Sequence, residues 1–160
     1  MDTETFGLLK DQLARYVEER LIPAEDAVEE ADDIPPDIVA EFKAMGLFGL
    51  SVPEEFGGLG LTMAEESQLV RILTRASVTF RSLIGTTVGI GSQGIMIDGT
   101  AEQKATWLPK FATGEAIASF ALTEPGAGSD AASLRCSAVR EGDHYRINGT
   151  KRYITNAPRA

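Results

Sequence analysis

Apolar residues recur at three- and four-residue steps from the start of this chain: Phe6, Leu9, Leu13, Tyr16 or Val17, and Leu21. That period predicts a helix over residues 3–31 with an acidic outer face, kinked or divided at Pro23. Asp32 and Asp33 lead into a break at Pro35-Pro36. A short helix should follow, opened by Pro36, burying Ile38, Val39, Phe42 and Met45, and capped by Gly46. Residues 46–53 read as a buried connection and residues 54–60 as a glycine-rich loop. Thr62 with Glu65 spells a capping box for a helix to about Thr74. Residues 78–97 predict a long helix. Gly85, Gly89, Gly91 and Gly94 are poor helix formers, so their presence implies close approach of neighbours and makes this the expected most buried helix. Gly99 ends it. Thr100 with Gln103 opens another helix over residues 101–113, interrupted near Pro109 and closed by Gly114.

The period changes beyond that point. Residues 117–123, 134–140, 144–147 and 151–155 alternate as strands, with turns at Glu141-Gly142-Asp143 and Asn148-Gly149. The pattern therefore predicts a multi-domain α + β chain. A mainly α-helical domain covers residues 1–116, and the beginning of an antiparallel β domain covers residues 117–160. Four strands without sheet partners would leave edges and an apolar face exposed, so the sequence reads as cut off. It shows no internal repeat and no low-complexity tract.

Composition narrows the function. The 160 residues are 43% hydrophobic and 24% charged, the balance of a packed globular chain. A net charge of -9 argues against nucleic acid as a partner, because phosphate recognition needs clustered Lys and Arg. Cys136 is the only cysteine, so neither an intrachain disulfide nor a cysteine metal cluster can form. No metal site is expected, and His144 reads as a solvated histidine beside a turn. Trp107 reads as a packing residue of its helix. The N-terminus lacks the basic-then-apolar order of a signal peptide. The most apolar stretch, residues 83–97, is too short and too polar for a membrane span. A cytoplasmic location is the default expectation.

The densest chemistry lies in Leu122-Thr123-Glu124-Pro125-Gly126-Ala127-Gly128-Ser129-Asp130, which follows the apolar run 117–121. Two glycines, a proline, two hydroxyls and two carboxylates in nine residues exceed what ending a strand requires. They suit a polar, phosphate-bearing or ring-shaped ligand. Four stretches then carry a resemblance. They are residues 52–60; Gly99-Thr100-Ala101-Glu102-Gln103-Lys104 with Trp107-Leu108-Pro109; residues 121–133; and Arg152-Tyr153-Ile154-Thr155-Asn156. In this order they resemble the N-terminal part of the acyl-CoA dehydrogenase family, flavoenzymes of lipid metabolism that oxidise acyl-CoA thioesters to 2,3-enoyl-CoA.

The resemblance implies an α-helical N-terminal domain, an antiparallel β-barrel middle domain of which this chain holds the beginning, and a helical C-terminal domain, with FAD as cofactor and an acyl-CoA as substrate. It also implies an electron-transfer flavoprotein or similar acceptor, and a homo-oligomeric parent. It implies flavin contacts from Phe120, Leu122 and Thr123 on one strand and from Tyr153 and Thr155 on a second. Backbone groups near Leu122 and Thr123 should meet the pyrimidine edge. Gly128 and Ser129 should lie near the flavin pyrophosphate, with Ser129 also near substrate. Pro53 and Glu54 belong to a loop expected near substrate. The family commonly has Trp where Tyr153 stands, which bears on flavin tuning. The catalytic base of such enzymes is a glutamate beyond the region this chain covers. Glu124 and Asp130 match loop positions instead, so no catalytic residue is expected here and the segment alone should be inactive. A related acyl-CoA oxidase, a nitroalkane-type oxidase, or a non-catalytic flavin- or partner-binding subunit would keep the same motifs. Arg81, unusual in its run, fits a buried ion pair or, as the alternative, a contact with a substrate carboxylate.

Overall fold

The computed structural model describes residues 1–160. Helix α1 (Thr3–Tyr16) opens on Asp2, whose carboxylate accepts the Thr5 N–H at 2.8 Å. The helical path continues to Ala31, but not uniformly. Pro23 has no N–H to return to the chain four residues back. Just before it the bonding widens, with the Ile22 N–H reaching the Val17 carbonyl in a π turn over Val17–Leu21. A 3₁₀ turn (Ile22–Ala24) and α2 (Glu25–Ala31) complete the run. Helix α3 (Pro36–Ala44) buries Ile38 and Phe42 fully and Val39 and Met45 in part, and Gly46 ends it at φ 70°.

Both expected capping boxes are present. Thr62 and Glu65 open α4 (Met63–Leu73), and Thr100 and Gln103 open α7 (Ala101–Thr113). Helix α7 runs on through Pro109 to Thr113 without the expected interruption. The Thr113 hydroxyl donates to the Pro109 carbonyl at 3.1 Å. Its inner face is Leu108, Phe111 and Ala112. Trp107 falls outside that phase and is 43% exposed rather than buried, stacked on Phe111 with the Lys110 ammonium over its ring.

The long helix expected over residues 78–97 is two helices, α5 (Val78–Thr86) and α6 (Ser92–Asp98). A π turn over Thr87–Gly91 joins them, and within it Gly89 leaves helical geometry (ψ -108°). Helix α5 is deeply set, with Phe80, Leu83 and Ile84 buried, whereas Ile90 and Ile97 lie at the surface. Close approach explains only part of the glycine pattern. A Cβ at Gly91 would stand 2.5 Å from the Ala118 Cβ, while Gly89 and Gly94 have open space. The turn exposes bonding groups that hold other segments. The Val88 carbonyl accepts from Ser51 Oγ at 2.6 Å, and Thr87 Oγ accepts the Ala118 N–H at 3.0 Å.

One cluster of 19 buried side chains runs from Phe6 to Val88 and unites α1–α5. A smaller one joins Val52, Leu108, Phe111, Ala112 and Ala118. Past residue 116 the regular structure is one hairpin. Strands β1 (Ser137–Glu141) and β2 (His144–Asn148) pair antiparallel, with Ser137 opposite Asn148 and Glu141 opposite His144. Residues 117–123 and 151–155 do not form the expected strands. They lie side by side, with the Arg152 N–H donating to the Thr123 carbonyl at 2.9 Å and Ser119 Oγ to the Thr155 carbonyl at 2.8 Å. Tyr153 (φ 58°) and Asn156 (φ 64°) then turn left-handed, which breaks the extended path before a ladder can grow. The order remains helices first, antiparallel hairpin after. No helix is long and apolar enough to cross a membrane.

Candidate functional site

The turn after Thr123 is closed by Glu124 and Ala127, which exchange both backbone hydrogen bonds around Pro125-Gly126. This puts the Glu124 carboxylate inside, where it accepts from the Arg135 N–H (2.7 Å), the Cys136 N–H (2.9 Å) and Lys151 Nζ (2.9 Å). Those N–H donors and the ammonium hold its pKa down to about 2. A carboxylate so occupied is a poor proton acceptor, and its role is that of a clamp. Lys151 Nζ also donates to the Leu122 carbonyl at 2.9 Å. One ion pair thus ties residues 122–124, 135–136 and 151 together, and it sets the separation of the two segments on which the candidate cofactor residues sit.

Between those segments and the end of α5 lies a groove of about 210 Å³, lined by Thr86, Ile90, Phe120, Leu122, Thr123, Tyr153 and Thr155. All five residues assigned to the two flavin-contacting segments are in it. Phe120 and Tyr153 present aromatic surface, 45% and 79% exposed. The Arg152 guanidinium covers part of the Tyr153 ring at 4.7 Å. The hydroxyls of Thr86, Thr123 and Thr155 have no hydrogen-bond partner within the protein. Backbone capacity is narrower than the resemblance implies. The Leu122 N–H goes to the Phe120 carbonyl, and both the Leu122 and Thr123 carbonyls are engaged by Lys151 and Arg152. The Thr123 N–H is the donor left over. Aromatic faces beside a few unengaged hydroxyls form a donor set suited to a planar heterocycle with polar edges.

The remaining candidates lie apart from this groove. Gly128 and Ser129 are exposed and follow directly on the Glu124–Ala127 turn. Pro53 begins a 3₁₀ turn (Glu54–Phe56) and its carbonyl accepts from the Phe56 N–H at 3.0 Å. Glu54 points to solvent, 3.8 Å from the N-terminal ammonium. Asp130 accepts from the Ser133 hydroxyl at 2.5 Å. Thr86 and Ile90 escaped sequence reasoning. Their four-residue spacing beside Gly85 and Gly89 marks one helix stripe, but nothing in the pattern says which way it faces. Lys151 was legible only as the start of a strand.

Two family models match the chain. The acyl-CoA dehydrogenase N-terminal domain matches residues 3–115, and the acyl-CoA dehydrogenase middle domain matches residues 119–160. The (2S)-methylsuccinyl-CoA dehydrogenase of Cereibacter sphaeroides is 41% identical over 157 residues, 98% of this chain and 28% of its own length. A chain in the solved structure of the electron transferring flavoprotein of Acidaminococcus fermentans superposes with a TM-score of 0.91 at 32% identity. That match covers 100% of this chain and 43% of the other. The acyl-CoA dehydrogenase of Bacillus anthracis complexed with FAD gives a TM-score of 0.86 at 34% identity, covering 98% and 27%. The chain therefore spans less than half the length of these proteins.

Proposed function

The chain belongs to the acyl-CoA dehydrogenase family, and from that premise we propose that it forms one wall of an FAD-dependent enzyme that oxidises acyl-CoA thioesters to 2,3-enoyl-CoA. The observation that carries the reading is the groove. It gathers Phe120, Leu122, Thr123, Tyr153 and Thr155, with three threonine hydroxyls unengaged by protein. FAD, when bound, supplies the hydride acceptor for the substrate's β-hydrogen.

The chain's own residues bind and orient. Phe120 and Tyr153 supply apolar aromatic surface for a ring. The Thr123 N–H and hydroxyl and the Thr155 hydroxyl supply hydrogen bonds to its polar edges, which fix its in-plane rotation. Gly128 and Ser129 supply an exposed turn with a free hydroxyl, suited to a phosphate oxygen. Pro53 and Glu54 supply a loop wall toward the thioester. The resemblance assigns proton abstraction at the α-carbon to a glutamate beyond the region this chain covers, and Glu124, committed to its three donors, is not offered in its place. The acceptor of the electrons is an electron-transfer flavoprotein or a protein of that kind, and the complete enzyme is a cytoplasmic homo-oligomer.

The test is made on the full-length polypeptide that contains this chain. Purified protein should carry FAD, and adding acyl-CoA without oxygen should bleach the flavin absorbance. Thr123→Val together with Thr155→Val should lower flavin occupancy at matched folding. Full flavin content in that double variant would remove the groove from the assignment. A protein that takes up no flavin would overturn the proposal outright.

A further inference from the structure

The buried ion pair expected at Arg81 is absent, and the most deeply set pair is Lys151–Glu124, whose side chains are 24% and 7% exposed. The Glu124 carboxylate is already met by the Arg135 and Cys136 N–H groups. Lys151 divides its donors between that carboxylate and the Leu122 carbonyl, each at 2.9 Å. The ion pair alone would tie the segments together, and the bond to Leu122 is additional to it. An ammonium on a peptide oxygen makes a charge-assisted bond, roughly twice as strong as a neutral one.

The Leu122 carbonyl belongs to the same peptide unit as the Thr123 N–H. The chain has no cis peptide bond, so the two groups point in opposite directions. With its oxygen held at Lys151 Nζ, this unit turns its N–H away from the clamp, and no group in the protein accepts from it. Both residues line the groove, whereas Lys151 stands outside it. Hydrogen bonds in series polarise one another, by roughly 10–30% per bond. Drawing electron density toward the Leu122 oxygen therefore makes the Thr123 N–H a stronger donor. Glu124 balances the Lys151 charge at a distance, so the polarised peptide, and not a net positive field, is what reaches the groove.

We propose that Lys151 is a positioning residue for the flavin: through the Leu122–Thr123 peptide it aims and strengthens the N–H that meets the pyrimidine edge, and so makes the bound flavin easier to reduce. The inference rests on the acyl-CoA dehydrogenase reading and adds to it a residue outside the cofactor groove. Reduction loads electron density onto the flavin ring, so a stronger donor at its polar edge favours the reduced form over the oxidised one.

The experiment uses the full-length holoenzyme without substrate. The flavin reduction potential is measured anaerobically against reference dyes, and the flavin carbonyl stretching bands are recorded by infrared spectroscopy. Lys151→Met should disfavour reduction by about tenfold in the equilibrium constant, about 30 mV for a two-electron couple. Its flavin carbonyl bands should move to higher frequency as the donor weakens. Lys151→Gln keeps an N–H donor and loses the charge, so it should shift both readouts in the same direction by less, and it carries the test if Lys151→Met does not fold. Ser119→Ala removes another bond between the same two segments without touching the Leu122–Thr123 peptide, and it should leave the potential where it was. A wild-type potential and wild-type bands in a flavin-loaded Lys151 variant overturn the proposal and leave the dehydrogenase reading standing. An equal shift in Ser119→Ala also overturns it, since looseness between the segments would then be the cause. A wild-type protein that takes up no flavin overturns both.

Discussion

Residues 3–114 and residues 117–160 are held together by different means. The first region closes on itself. Its helices satisfy their backbone within each segment, and their apolar stripes meet in a shared core of 19 side chains. The second region buries only Ala118, Glu124 and Ala127. Its hairpin is exposed along both strands, and its order depends on the Glu124–Lys151 clamp, Ser119, and the hydrogen bond from Asn156 to the Leu83 carbonyl. Hydrophobic burial sustains one, and a few polar bonds sustain the other. The candidate cofactor residues stand on the second, positioned against the first.

The contrast is most severely tested at Phe42 or Phe80, both fully buried. Replacement by Ala should cost about 3–5 kcal/mol, read as a lowered denaturation midpoint of the helical region. A cost near zero would mean the core is not what holds it.

Glu124→Gln should act in the opposite place. It strands the Lys151 ammonium and weakens the bonds to Arg135 and Cys136. Amide exchange should rise at those residues and across β1 and β2, while α1–α5 stay protected. The pH dependence has a defined sign. The Arg135 and Cys136 N–H groups and the Lys151 ammonium hold the folded carboxyl down to about 2, below its ordinary 4.5. Its stabilisation is complete above about 4.5 and is lost as pH falls toward 2. Hairpin resonances followed by acid titration should shift before those of the helical core, and simultaneous loss would erase the distinction between the regions.

The smallest effect belongs to the caps. Thr62→Ala and Thr100→Ala should each cost about 1 kcal/mol. Two denaturation curves suffice to check this, and each loss should be confined to the helical region's transition.

This division also decides what could be read in advance. The capping boxes and the buried phase of α3 were legible because each depends on residues a few positions apart. Pro109 misled, because a helix bound on its inner face by Leu108, Phe111 and Ala112 tolerates one missing bond. The strands expected at 117–123 and 151–155 failed on Tyr153 and Asn156, whose left-handed backbone no alternation of apolar and polar residues announces. Glu124 could be set aside as a base from its motif, but its clamp joins residues 27 positions apart and is invisible to local pattern. The grouping of Phe120, Leu122, Thr123, Tyr153 and Thr155 was reached through resemblance. The contribution of Thr86 and Ile90 required the fold.

The π turn at Thr87–Gly91 works as a phase shifter. Each residue in an α-helix advances its direction by about 100°, so a widened turn rotates everything after it relative to a regular helix. Before it, Phe80, Leu83 and Ile84 face the large core, as Val88 still does within it; after it, Ile95 and Met96 pack against the smaller cluster around Leu108 and Phe111. One length of chain thereby serves two cores that do not lie on a common helical stripe. Removing a single residue from that turn would leave the composition of α6 intact and still point it the wrong way.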